Sequence, residues 1–191
     1  MIIIGLSGRK RSGKDTVCEI IQRVFTGARR FAFADALKRE LSEATDTPVH
    51  VIEQEKDRFR LGLQWWGTEF RRHQSDTYWV DQLMESLRMA EAHDCPVAIV
   101  TDCRFQNEAD AIRSMGGKVL RIERATSPSQ DCHASETSMD KYAFDGVIYN
   151  HGTINDLEDA VCVALDEILN GGTNMGAENG LATSRPVTQV A

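Results

Sequence analysis

At 191 residues the chain suits one domain, large enough to bury a core without disulfides or a structural metal. Apolar residues make up 41% and charged ones 27%, and the formal charge of -7 excludes a protein built to grip polymeric nucleic acid, which needs a basic excess. Its basic clusters are therefore expected to serve small anions.

Ile2-Ile3-Ile4-Gly5-Leu6 reads as a buried strand and runs directly into Gly8-Arg9-Lys10-Arg11-Ser12-Gly13-Lys14-Asp15-Thr16. A glycine-rich turn between a strand and a helix aims backbone N–H groups and the positive end of the helix at phosphate oxygens. Gly8, Lys10, Arg11, Ser12, Gly13, Lys14, Asp15 and Thr16 are the expected contacts of ATP, with Lys14 and Arg11 also on the transferring phosphate. The hydroxyl falls one place later than usual, on Thr16, and Asp15 and Thr16 are candidates for holding Mg²⁺. Val17, Ile20, Ile21, Val24 and Phe25 then repeat at helical spacing, up to Gly27.

Residues 30–34 read as a second strand, with Asp35 as N-cap of a helix carrying Leu37 and Leu41. From about 45 to 75 the pattern is mixed, charged and aromatic, as a helical substrate-binding insertion would be. A helix over about 78–92 follows, with Val80, Leu83, Met84 and Leu87 on one face. Pro96-Val97-Ala98-Ile99-Val100-Thr101-Asp102 is a continuous apolar run with a polar end, the signature of a strand buried on both faces of a parallel sheet. A helix over about 107–115, closed by Gly116-Gly117, precedes a strand over 118–124. A polar segment, 125–141, leads to a fifth strand over 145–150 and a helix over about 154–169 with Leu157, Val161, Leu165 and Ile168 inward.

This alternation predicts an α/β fold, a three-layer arrangement with a five-stranded parallel sheet covered by helices on both sides, and ligands beyond the C-terminal ends of its strands. From residue 170 on, Gly, Asn, Thr and Ser dominate, and a flexible tail is expected. Cys18, Cys95, Cys103, Cys132 and Cys162 have no metal-ligand spacing and read as reduced thiols. No run approaches the roughly 18 apolar residues of a membrane span, and no signal peptide precedes the first strand, so the cytoplasm is the expected compartment.

At the end of the third core strand, Asp102 stands where a phosphoryl-transfer enzyme orients magnesium; a helix cap is the alternative. Two residues on, Arg104 can take a phosphate bidentately or serve a structural ion pair. Lys38, within Asp35-Ala36-Leu37-Lys38, would by itself read as a solvated lysine. Arg60, Trp66, Gly67, Thr68 and Arg71 lie in an aromatic and basic stretch, followed by Trp79. A base ring can stack on an indole while arginines neutralise its phosphate. Trp79 and Trp66 are candidate walls for the base, and Trp65 is assigned to the core. His133 beside Cys132 lacks the partners of a metal site.

The loop's Lys14-Asp15-Thr16 resembles the offset found in adenylate kinases, and Asp35-Ala36-Leu37-Lys38 is similar to their Asp-x-Leu-Arg stretch, whose cation holds the acceptor's phosphate. Leu63-Gln64-Trp65-Trp66-Gly67-Thr68-Glu69, then Tyr78-Trp79-Val80, resemble bacteriophage deoxynucleoside monophosphate kinases. Asp102-x-Arg104 with Asn107-Glu108, Arg124, and His133-x-x-Glu136 fit the same pattern. Together these stretches cover most of residues 1–165. The resemblance implies a P-loop kinase domain over 1–169 that uses ATP and Mg²⁺ and phosphorylates a deoxynucleoside monophosphate to supply DNA precursors during phage replication. It implies a catalytic set of Lys14, Arg11, Asp102, Arg104 and Arg124, and a short lid over about 125–141 bordered by Arg121. A homodimer is compatible with it. A kinase of another small acceptor, such as dephospho-coenzyme A, would share the loop and sheet but not the Gln-x-x-Gly-Thr and Tyr-Trp-Val pair. A nucleotide-dependent binding module would hydrolyse ATP slowly with no acceptor.

Overall fold

The computed structural model describes residues 1–124 and 137–170. The expected tail and most of the expected lid, with Cys132, His133 and Glu136, lie outside the described residues.

Five parallel strands form the sheet: β1 (Ile2–Ser7), β2 (Arg29–Phe31), β3 (Val97–Val100), β4 (Lys118–Glu123) and β5 (Gly146–Tyr149), in the order β2-β3-β1-β4-β5. Strand β1 is central, with Ile4 level with Ile99 on one side and Lys118 on the other. Its side chains alternate between two cores: Ile3 joins Phe33, Leu83, Leu87 and Ile112 on one face, while Ile4 and Leu6 join Val17, Ile21, Val161 and Leu165 on the other. Fully burying such a side chain stabilises the fold by about 1.5–3 kcal/mol, an upper bound.

The helices are α1 (Lys14–Val24), α2 (Phe33–Thr45), α3 (Val49–Gln54), α4 (Lys56–Gln64), α5 (Tyr78–Ala92), α6 (Gln106–Ser114) and α7 (Ile154–Asn170). Helices α1 and α7 pack on one face of the sheet, and α2, α5 and α6 on the other. In α1 the buried set is Val17, Cys18, Ile20 and Ile21, whereas Val24 is 49% exposed. The helix is ending there, so Val24 leaves the core face the spacing gave it. Among the described residues, no helix is long and apolar enough to cross a membrane.

Strand β2 stops at Phe31 and α2 begins at Phe33, so Asp35 lies in the first turn and is not the N-cap; Ala32 holds that position. The cap comes from far along the chain. Asp102 Oδ1 accepts the Phe33 N–H at 2.8 Å and Oδ2 the Ala34 N–H at 2.9 Å, satisfying two of the helix's unpaired donors.

Between α2 and α5 the charged stretch forms α3, α4 and an eight-residue π-helix, Trp65–Arg72. A π-helix of this length is rare, and such distortions gather at functional sites. Two local causes hold it here. Gly67 lets the segment press on α2, since a Cβ there would lie 2.9 Å from Leu37 Cδ2. Glu40 of α2 also draws three of its neighbours inward: it accepts the Trp66 Nε1–H at 2.9 Å, the Arg71 Nε–H at 2.8 Å, and the Tyr78 hydroxyl.

Candidate active site

The C-terminal ends of the strands carry the polar features. The loop after β1 turns through Arg11 at φ 64° and Gly13 at φ 103° before α1 starts at Lys14. Only glycine fits at Gly13: besides its left-handed backbone, a Cβ there would collide with Asn150 Nδ2. That side-chain amide, just past the end of β5, donates to the Ser12 carbonyl at 2.9 Å, and the Asn150 backbone N–H donates to Glu123 O at 2.7 Å. Asn150 thus braces the loop against the sheet.

Lys14 Nζ donates to the Gly8 carbonyl at 2.7 Å and the Arg9 carbonyl at 2.9 Å, which holds the ammonium inside the ring of the loop. Arg9 pairs with Asp140 at 2.7 Å, and Asp140 also takes Arg121 of β4 at 3.3 Å. Lys10 reaches Asp57 of α4 at 3.4 Å. Ser12 is 4% exposed, and its Oγ is a buried side-chain oxygen with no hydrogen-bond partner. A cationic loop with an unsatisfied hydroxyl turned into it fits the polyphosphate of a nucleotide.

Beside the loop, the turn after β3 is locked to β1 by the Cys103 N–H on Leu6 O at 3.1 Å. This turn carries Asp102 and Arg104, both half-buried. The oxygens of Asp102 each hold one N–H of α2 and each keep a lone pair, so the carboxylate can still orient a metal-bound water. Thr16 and Asp15 open α1 next to the loop.

Between this turn and the π-helix lies an open cleft of about 530 Å³, lined by Thr68, Arg72, His73, Phe105, Asn107 and Ser138 among others. Its size suits a small ligand. Behind its wall Glu108 is 2% exposed and pairs with Arg72, whose guanidinium carbon sits 3.8 Å from the centre of the Phe105 ring. Burial pushes the Glu108 carboxyl up to about 7, against the pull of Arg72 and of the Arg104 and Phe105 N–H groups.

Comparison with known proteins shows which family the chain belongs to. The deoxynucleotide monophosphate kinase family matches residues 2–75 and 51–161. A protein of Acanthamoeba polyphaga mimivirus described as a putative deoxynucleotide monophosphate kinase is 31% identical over 191 residues, covering 87% of this chain and 97% of that protein. The chain belongs to the deoxynucleotide monophosphate kinase family. An uncharacterized protein of Ictalurid herpesvirus 1 (strain Auburn) is 28% identical over 165 residues, covering 85% of this chain and 69% of that protein. Among solved structures, an unliganded sugar kinase from Janibacter sp. HTCC2649 superposes with a TM-score of 0.50 at 13% identity, covering 87% of this chain and 95% of that one, a likeness of fold alone.

In this family member the loop residues Gly8, Lys10, Arg11, Ser12, Gly13, Lys14, Asp15 and Thr16 stand together at the start of α1, with Arg11 exposed. Arg124 is exposed just past β4. Of the residues expected to meet the second substrate, Thr68 lines the cleft and Arg104 immediately precedes Phe105 of its wall. Lys38 is 7% exposed and pairs with Glu53 of α3, with Asp35 at 3.9 Å. It is a buried, paired cation and not the solvated lysine its surroundings in the sequence suggest. Arg60 is half-buried on α4. Gly67 is buried against Leu37. Trp66 and Arg71 are tied to Glu40, and Arg71 also lies over Tyr78, 4.8 Å from that ring's centre.

Two tryptophans are exchanged relative to the sequence reading. Trp79, expected as a wall for the base, is 3% exposed and donates its Nε1–H to the Gly67 carbonyl at 2.8 Å. Trp65, assigned to the core, is 54% exposed and stacks on Phe70 at 5.4 Å. Trp79 lies on the same face of α5 as Leu83 and Leu87, and the carbonyl that takes its indole N–H belongs to the π-helix. Trp79→Leu should therefore lower stability by about 2–4 kcal/mol through lost packing and a lost hydrogen bond. Denaturant unfolding is the measurement, and a midpoint within error of wild type would return Trp79 to the cleft.

Sequence reasoning passed over Arg72, Phe105, Asn150 and Glu40. Phe105 directly follows Arg104, which was singled out as Asn107 and Glu108 were, but nothing local signals that Arg72 turns inward while Arg71 goes to Glu40. Burial raises the Glu40 carboxyl, yet the hydrogen bonds from Tyr78, Trp66 and Arg71 outweigh it and hold the group below its usual range. The stability this gives is fully present above the unfolded value of about 4.5 and is lost as pH falls through the lower folded value. Glu40→Gln should thus be less stable than wild type at pH 7, with the gap narrowing toward pH 3. Urea midpoints at the two pH values test this, and a gap that widens in acid would contradict it.

Proposed function

We propose that this family member transfers the γ-phosphoryl group of ATP to a deoxynucleoside monophosphate, giving the diphosphate. The observation that carries the reading is the cleft between the π-helix and the turn after β3. It is large enough for a nucleoside, is walled by an aromatic ring and an arginine, and lies at the turn that carries Arg104.

In this reading the loop from Gly8 to Thr16 binds the triphosphate through its N–H groups, with Lys14 and Arg11 on the outer phosphates. Thr16, Asp15 and Asp102 would hold Mg²⁺, directly or through water, and the ion supplies charge neutralisation when bound. The monophosphate lies in the cleft, with Thr68, Arg72, Phe105 and Asn107 around its base. Arg104, with Lys38 of α2 and Arg60 of α4, meets its phosphate. Lys38 would exchange Glu53 for that anion. No general base is required, because the accepting oxygen is already anionic. Catalysis is positioning and charge neutralisation by Lys14, Arg11, Arg104 and Arg124. Residues 125–141 act as a short lid that limits hydrolysis by excluding water.

The test is ADP release from ATP across dAMP, dCMP, dGMP, dTMP, hydroxymethylated dCMP, the ribonucleotides and dephospho-coenzyme A. Release that depends on at least one deoxynucleotide is expected. Release indifferent to every monophosphate would leave a nucleotide-dependent binding module, and release driven only by dephospho-coenzyme A would replace the acceptor.

A further inference from the structure

We propose that Glu108 is a positioning residue for the acceptor: its carboxylate fastens the turn that carries Arg104 to the π-helix that carries Thr68 and Arg72, and so sets the shape of the cleft. The proposal rests on the reading of the cleft as the monophosphate site.

Three elements meet at this one side chain. Glu108 Oε2 accepts the Arg104 N–H at 2.7 Å and the Phe105 N–H at 3.0 Å, while Oε1 takes Arg72 Nη2. On its other side, the Arg104 carbonyl accepts the hydroxyl of Ser138. The peptide groups on both sides of Arg104 are thus fixed, and its guanidinium extends from an anchored stem. From the π-helix, the Arg72 guanidinium carbon lies over the Phe105 ring, 3.8 Å from its centre, and Arg72 reaches Asn107 Oδ1 at 3.4 Å, while Asn107 Nδ2 donates to Asp76 O at 2.6 Å. Thr68, Arg72, Asp76, Phe105, Asn107 and Ser138 all line the cleft.

Burying this pair is a costly way to hold two helices together. Packed apolar side chains of similar volume commonly serve as well or better, since the charges must be taken out of water. A planar guanidinium does fix direction: one arm is held on Glu108 and the other on Asn107 while the group stays over the Phe105 ring. Direction matters here because one end of the tie is the backbone of the arginine expected on the transferring phosphates. A displacement of about 1 Å at such a group is enough to slow transfer about a hundredfold.

The experiment uses the full chain with Glu108→Gln, which keeps the shape and one acceptor but removes the charge, and Arg72→Lys, which keeps the charge but removes the plane. Steady-state constants are measured for ATP and for the best of dAMP, dCMP, dGMP and dTMP, with melting temperatures on the same preparations. Both variants should raise KM for the monophosphate about tenfold or more and lower kcat, while KM for ATP moves less than about twofold. The double variant should be far less impaired than the product of the two single effects. A lowered melting temperature with both KM values unchanged overturns the proposal and makes Glu108 a structural residue only. So does an equal rise in both KM values. If Glu108→Gln does not fold, Arg72→Lys decides by the same split. A wild-type chain that binds ATP yet phosphorylates none of the four overturns the acceptor reading, and this assignment with it.

Discussion

Lys14→Ala should lower kcat by at least about a hundredfold to a thousandfold, the loss seen when one preorganised hydrogen-bond donor to a transition state is removed, while the chain stays folded. The two effects separate because of where Lys14 sits. Its ammonium bonds to the carbonyls of Gly8 and Arg9 within the loop, 2.7 and 2.9 Å away, and lies outside both apolar cores. Its removal leaves Asn150 still bracing the Ser12 carbonyl and the Gly13 turn unchanged. Lysine at this place can pivot from two loop carbonyls to a phosphate, a small rearrangement between like acceptors. Alanine supplies neither the charge nor the reach. The check is kcat with ATP and the preferred monophosphate, beside a thermal melt. Turnover within threefold of wild type would remove the loop from the catalytic account.

The sheet was legible in the sequence because each strand is a short apolar run bounded by turns, and a parallel sheet buried on both faces leaves little else for such runs to be. Helices α5 and α7 were equally plain from their spacing. The phosphate loop announces itself because the chemistry and the backbone geometry fall on adjacent residues. The substrate side was not legible for the opposite reason. Its geometry is set by contacts between residues far apart in the chain: Glu40 with Trp66, Arg71 and Tyr78, Glu108 with Arg72, and Trp79 with Gly67. A single wide turn also defeats the helical periodicity on which face assignments depend. That is why Arg72, not Arg71, reached the cleft. Trp79 is a different case: its regular spacing with Leu83 and Leu87 on α5 already marked the core face, and its aromatic ring was read as a base platform instead. Lys38 shows the same limit. Its neighbours in the sequence are ordinary, and only the approach of α3 gives it Glu53.

Asp102→Ala should be the most damaging change outside the loop, because the carboxylate serves the fold and, in the proposed reading, the metal as well. Removing it strips both backbone acceptors from the N-terminus of α2, where Phe33 and Ala34 donate at 2.8 and 2.9 Å. Losing a helix cap costs about 0.5–2 kcal/mol, and two charge-assisted bonds place this case toward the upper end. Because α2 also carries Lys38 and Glu40, a frayed start there would loosen the insertion that those residues hold. Asp102→Asn separates the roles. The amide keeps one oxygen for one N–H and turns its own donors toward the other, so part of the cap survives while the charge is gone. If Asp102 orients magnesium, the Asn variant should need markedly more Mg²⁺ for half-maximal turnover and should lose at least about tenfold in kcat at saturation, with only a modest drop in melting temperature. If the carboxylate is a cap and nothing more, the melting temperature should fall while the Mg²⁺ dependence of the surviving enzyme overlays that of wild type. Titrating Mg²⁺ against kcat on folded Asn variant distinguishes the two, and an unshifted curve would take Asp102 out of the metal site.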